Sequence, residues 1–137
     1  MGRILAIDYG KKRVGLAVTD SSQIIATALT TVEAKEIFNY LKQYCQKEEV
    51  ESFLVGEAKR MDNTLSESAV YIEPFVIKLS EIFPLIPIIR LDERFTSKMA
   101  FQTMIESGIS KKARRDKALV DKIAATILLQ SYLQTKR

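Results

Sequence analysis

Three carboxylates stand where a sheet protein gathers its chemistry. Asp8 follows directly on the apolar run Ile4–Ile7, and Glu93 closes the segment that begins Ile88-Ile89-Arg90-Leu91. Both fall at the C-terminal ends of expected strands, where ligand groups collect in α/β sheets. Asp121 lies instead within a helical pattern, on one face with Ala125, Leu128 and Tyr132 at offsets of four, seven and eleven residues. Carboxylates brought together repel each other and raise one another's pKa, so a cluster of three needs a shared partner. A divalent cation removes that conflict and keeps them ionised. Two such ions, about 3.5–4 Å apart, would activate a water and stabilise the leaving oxygen of a phosphodiester.

The chain contains no histidine and a single cysteine, Cys45. Ser-His-Asp and Cys-His nucleophilic machinery is thereby excluded, as are zinc sites of the Cys/His type. Any metal must be held by oxygen, which favours Mg2+ or Mn2+. An intrachain disulfide is impossible. Taken singly, each acid also admits a plainer role. Asp8 can cap a turn. Glu93 can pair with Arg90 or Arg94, and Asp121 with Lys117 one helical turn earlier.

Basic residues flank these acids. Lys11, Lys12 and Arg13 follow Asp8, while Lys111, Lys112, Arg114 and Arg115 precede the helix that carries Asp121. Residues 1–88 hold 10 Lys and Arg against 12 Asp and Glu, whereas residues 89–137 hold 11 against 5. A surplus concentrated in the last third is the expected footprint of a surface that meets polyphosphate, though solubilising charge would look similar. Contacts of this kind grip a nucleic-acid backbone without reading its sequence.

The elements that must position these residues follow from the periodicity. Ile4–Ile7 reads as a central strand, and Gly10 begins a reversal into the alternation of Val14, Leu16 and Val18. Asp20-Ser21-Ser22 is a second turn, after which Gln23–Val32 returns as a third strand. Ile37, Leu41 and Tyr44 then recur at helical spacing. Phe53-Leu54-Val55 is a buried-type strand ending at Gly56. Thr64-x-x-Glu67 fits a capping box opening a helix through Val70, Phe75, Val76 and Leu79, in which Pro74 invites a kink or break. A strand at Pro87–Leu91, a helix from Thr96 or Ser97 to Gly108, a basic loop at 110–117 and a helix from about Ala118 to Leu133 complete the order. The expected fold is one α/β domain over residues 1–137. Its mixed five-stranded sheet has three antiparallel strands, then helix-linked parallel ones, all covered by helices. No apolar stretch reaches the length of a membrane span, and the N-terminus does not read as a signal peptide, so a cytoplasmic protein is expected.

Taken together, the motifs resemble the YqgF/RuvX family of Holliday junction resolvases and pre-16S rRNA nucleases. The resemblance covers nearly the whole chain. It rests on Ile4-Leu5-Ala6-Ile7-Asp8-Tyr9-Gly10-Lys11-Lys12-Arg13-Val14-Gly15-Leu16-Ala17-Val18-Thr19-Asp20 and on Val55-Gly56 with Met61-Asp62-Asn63-Thr64. It continues through Leu91-Asp92-Glu93-Arg94-Phe95-Thr96-Ser97 and Lys111-Lys112 to Val120-Asp121-Lys122-Ile123-Ala124-Ala125 and onward to Leu133. It implies an RNase H-like fold, metal-dependent phosphodiester cleavage and Asp8, Glu93 and Asp121 as the acidic triad. It also implies structured RNA as partner, with 5′-end processing of precursor 16S rRNA favoured and branched DNA as the alternative. A monomer or homodimer fits either substrate.

One departure is that Glu57-Ala58 follows Gly56 where the family usually has Leu-Pro. Glu57 is thus a further candidate acid, as is Asp62 by its motif. Two rival classes remain. An actin-like or sugar-kinase ATPase would share Asp8-Tyr9-Gly10 but needs a second phosphate motif, and no second glycine-rich loop is present. A non-catalytic nucleic-acid-binding module would keep the fold without the complete set of acids.

Overall fold

The computed structural model describes residues 2–57, 69–92 and 117–135. Five strands form one sheet: β1 (Arg3–Tyr9), β2 (Arg13–Thr19), β3 (Ala26–Glu33), β4 (Val50–Glu57) and β5 (Ile88–Asp92). Their spatial order is β3-β2-β1-β4-β5, which makes β1 the central strand. β1, β2 and β3 pair antiparallel in sequence order, while β4 joins β1 and β5 joins β4 in parallel. This is the mixed sheet expected from two hairpin turns followed by helix-linked strands.

The turns hold the sheet in register. Gly10 N–H donates to the Arg13 carbonyl at 2.9 Å, and a Cβ on Gly10 would lie 2.5 Å from that same oxygen. Only glycine closes the β1–β2 turn this tightly. At the other end of β2, the Asp20 carboxylate accepts from the backbone N–H groups of Ile24 and Ile25 at 2.8 and 2.9 Å. Those donors lower the Asp20 pKa by stabilising its ionised form. Asp20 is therefore a turn former.

Among the described residues, three helices cover the two faces: α1 (Ile37–Lys47), α2 (Ala69–Ile82) and α3 (Lys117–Thr135). A short 3-10 turn, Ala34–Glu36, leads into α1. Along β1 the side chains alternate between two cores. Leu5 and Ile7 join Leu16, Phe53, Ile37, Leu41, Phe75 and Leu79 under α1 and α2. Ile4 and Ala6 join Ala17, Leu54, Ala125, Leu128 and Leu129 under α3. The sequence phase of the last helix is confirmed by this packing, since Tyr132 also lies against the second cluster. α2 runs through Pro74 without the break that residue invites. The N–H that proline lacks would have bonded the carbonyl of Val70, an exposed first-turn residue whose carbonyl solvent can serve. Among the described residues, no helix is long and apolar enough to cross a membrane.

Candidate active site

Asp8 occupies the C-terminal part of β1, directly opposite Gly15 in the antiparallel pair with β2. It shares the phase of Ile4 and Ala6, so its side chain lies on the face that α3 covers. Gly15 is the close point between sheet and helix. A Cβ there would lie 2.1 Å from the Asp121 carbonyl oxygen and 3.0 Å from the Asp121 Cβ. The absence of a side chain at position 15 thus admits the backbone of α3 at Asp121 onto the strand. Opposed residues in an antiparallel pair carry Cβ atoms about 4.5–5.5 Å apart. The Cβ atoms of Asp8 and Asp121 therefore lie no more than roughly 8–9 Å apart, on one face, over a strand position with no side chain between them. Two of the three expected acids are brought together by this one glycine.

Arg13, at the start of β2, also belongs to this face. Its Nε donates to Asp121 Oδ2 at 3.1 Å, and both side chains are partly buried. The helix-internal partner that periodicity allowed for Asp121, Lys117, has its side chain outside the described residues; the ion pair with Arg13 reaches across to β2. Arg13, expected at the phosphate backbone, is thus placed beside a carboxylate. Lys11 and Lys12 are exposed in the turn and line a shallow groove with Arg13, Glu33, Ala34 and Lys35.

The other candidate acids divide differently. Glu57 ends β4 in phase with Phe53 and Val55, which pack under α1 and α2, so it belongs to the face opposite Asp8. It is a direct neighbour of Asp92 across the parallel β4–β5 pair. That placement counts against Glu57 as a third ligand beside Asp8 and Asp121. Glu93, Asp62, Lys111, Lys112, Arg114 and Arg115 lie outside the described residues, as do the Thr64–Glu67 box and the expected helix from Thr96 or Ser97 to Gly108. Among the described residues, no group of three or more acids, histidines or cysteines is close enough to hold a metal ion.

The strand ends around the site are braced from the opposite face. Tyr9 follows Asp8 and stacks on Phe75 of α2, with ring centroids 4.1 Å apart. Burial there raises the Tyr9 pKa. Arg90 donates from Nη1 and Nη2 to the two Glu73 carboxylate oxygens at 2.8 and 2.7 Å. The same guanidinium donates to the carbonyls of Val55 and Gly56, which ties α2 to the end of β4. The Arg90 hydrogen bonds lower the Glu73 pKa.

The family model described as "RuvX: Holliday junction resolvase" matches residues 2–135. The chain belongs to the RuvX family. Its relatives include a Flavobacterium johnsoniae protein named "Putative pre-16S rRNA nuclease", 58% identical over 137 residues, with 100% of this chain and 99% of that protein covered. A Porphyromonas gingivalis protein of the same name is 56% identical, covering 97% of this chain and 96% of its own length. Among solved structures, this RuvX chain is similar to RuvC from Thermus thermophilus in complex with a Holliday junction substrate. That match has a TM-score of 0.58 and 20% identity, and covers 99% of this chain and 97% of RuvC. A second Thermus thermophilus RuvC structure matches at a TM-score of 0.56 and 18% identity. The fold is RNase H-like, as the motifs implied.

Reasoning from sequence had isolated Asp8 and Asp121 but not the residue that joins them. Gly15 carried a readable signal, since an isolated glycine within an apolar strand marks a bulge or a close approach of backbone. The Arg13–Asp121 pair carried none, because the two residues are 108 positions apart.

Proposed function

We propose that this chain is a metal-dependent nuclease that hydrolyses phosphodiester bonds, with precursor 16S rRNA as its substrate and 5′-end processing as its role. The observation that carries the site is the seating of Asp8 and Asp121 on one face over Gly15. Membership of the RuvX family and the names of relatives 53–58% identical support the nuclease class and the RNA substrate.

The residues present suit a hard divalent cation. Asp8 and Asp121 offer only carboxylate oxygens, and the chain has no histidine to favour a softer metal. Mg2+ or Mn2+ would be held by Asp8 and Asp121 together with Glu93, which follows Leu91, a residue packed on the α3 face, by two positions. When bound, such an ion supplies a nucleophile at neutral pH and neutralises charge developing on the phosphodiester. The chain's own residues do the rest. β1 and α3 fix the two carboxylates on a rigid frame, so that little reorganisation accompanies reaction. Lys11 and Lys12 project from the adjoining turn and hold the phosphate backbone across the strand ends. Lys111, Lys112, Arg114 and Arg115 serve the same purpose from the segment before α3.

Branched DNA is the second reading, favoured by the RuvC-like fold and the family description. One experiment separates the two: cleavage of a precursor 16S rRNA fragment, a single-stranded RNA and a four-way DNA junction, each with Mg2+ or Mn2+. The proposal expects metal-dependent cleavage near the 5′ end of the rRNA fragment, abolished by Asp8→Asn with RNA binding retained. Preferential cutting of the junction would replace the RNA assignment. Full activity in Asp8→Asn would overturn the catalytic reading.

A further inference from the structure

The sequence groups Arg13 with Lys11 and Lys12 as a phosphate-binding residue, yet its guanidinium is engaged with Asp121 at 3.1 Å. Position 13 is two residues from Gly15 on the same face of β2, so the contact lies at the approach between sheet and helix. The Arg13 backbone is pinned, since its carbonyl accepts from Gly10 N–H and it pairs in register with Glu33 of β3. The side chain is not pinned in that way. It keeps 37% of its surface exposed and borders the open groove that Lys11 and Lys12 line.

We propose that Arg13 is a resident counter-ion of the carboxylate pair, which leaves Asp121 when a divalent cation arrives and then takes a phosphate of the nucleic acid. The proposal rests on the reading of Asp8 and Asp121 as a cation site. A guanidinium and a divalent ion on the same carboxylate repel at short range, so each weakens the binding of the other. Before loading, the guanidinium offsets the repulsion between Asp8 and Asp121 that would otherwise strain the approach of α3. After loading, its planar donors match phosphate geometry within reach of the turn lysines. Cation and nucleic acid are then linked through one side chain, and the coupling is reciprocal: each raises the affinity of the other.

The test is Mn2+ binding to the full chain by isothermal titration calorimetry. Wild type, Arg13→Gln, Arg13→Lys, Asp8→Asn and Asp121→Asn are compared, with affinity for a phosphorothioate-linked RNA oligonucleotide read by anisotropy with and without Mn2+. Arg13→Gln should bind Mn2+ on the order of tenfold more tightly than wild type. Arg13→Lys, which keeps the charge on a different head group, should fall between the two. Mn2+ should strengthen RNA binding by wild type on the order of tenfold more than by Arg13→Gln. Equal or weaker Mn2+ binding in both Arg13 variants, while Asp121→Asn loses it, would overturn the counter-ion role and leave the cation site standing. Unchanged Mn2+ binding in both Asp8→Asn and Asp121→Asn would instead overturn the cation site itself.

Discussion

The two faces of the sheet are built to opposite specifications. Under α1 and α2 the core is bulky: Phe53, Leu16, Ile37, Leu41 and Leu79 are fully buried, and Tyr9, Phe38 and Phe75 form a chain of ring contacts. Under α3 small residues stand among the large ones: Ala6 and Ala17 on the strands beside Ile4 and Leu54, Ala125 on the helix itself and, at the site, Gly15. Large side chains keep a helix at a distance and interchange with modest repacking. Small ones let the backbone approach and leave no slack. The bulky face supplies stability, and the small face supplies position.

That contrast is open to direct attack. Its strongest consequence concerns Gly15→Ala. The added methyl would overlap the Asp121 carbonyl, so α3 must move. Overpacking of this kind costs about 1–3 kcal/mol, and displacement of a reacting group by about 1 Å costs about 100-fold in rate. Cleavage should fall by about that factor while the chain stays folded, as read by circular dichroism and a turnover assay. Near wild-type turnover would show that the close approach does not position the site.

Next comes Leu79→Ala, on the buried side of α2 against the other face. Denaturant unfolding should show a loss of about 2–5 kcal/mol. Activity per folded molecule should stay within about twofold, since 1 Å shifts are needed for large effects. A rate loss rivalling that of Gly15→Ala would erase the distinction between the faces.

A smaller effect is expected at Glu73→Gln, which weakens the brace from α2 to Arg90. The Glu73 pKa is lowered in the folded chain, so its contribution to stability is present above the unfolded carboxylate value near 4.3 and is lost as pH falls through the folded value. Wild type should exceed the variant by about 1 kcal/mol at pH 7, a figure discounted for the partial exposure of the pair. The gap should narrow as pH falls below the unfolded carboxylate value, by urea unfolding across a pH series. A gap independent of pH would assign the brace to packing. Smallest is the pair Lys11→Ala and Lys12→Ala. Each should weaken RNA binding several-fold and reduce the salt slope by about 0.7–0.9, with no change in stability.

The faces also explain what could be read from the chain. Strand period and helix phase placed Asp8 at the end of β1 and Asp121 on the packing side of α3, because both signals are local. The Gly10 turn and the Asp20 turn were legible for the same reason. The residues that connect the site are not local. Gly15 contributes by what it lacks, and the Asp121–Arg13 pair joins the ends of the chain across 108 positions. Periodicity gave Asp121 a face and Lys117 as a local partner, but it could not reach across the chain to Arg13. Glu57, at a strand end, stood as either a further acid or only a substitution there, and its phase sets it on the face opposite Asp8. Pro74 left a kink or a break open, and the break does not occur because the carbonyl its missing N–H would have bonded is on an exposed residue, Val70.

The central claim is that Asp8 and Asp121 act on one cation. A double-mutant cycle on Mn2+ binding tests it most directly, with stoichiometry and affinity measured for wild type, Asp8→Asn, Asp121→Asn and the double variant. The account predicts strong non-additivity: each single change removes most of the binding, and the double change adds little. Additive losses, or single variants that each retain a separate undiminished site, would contradict it.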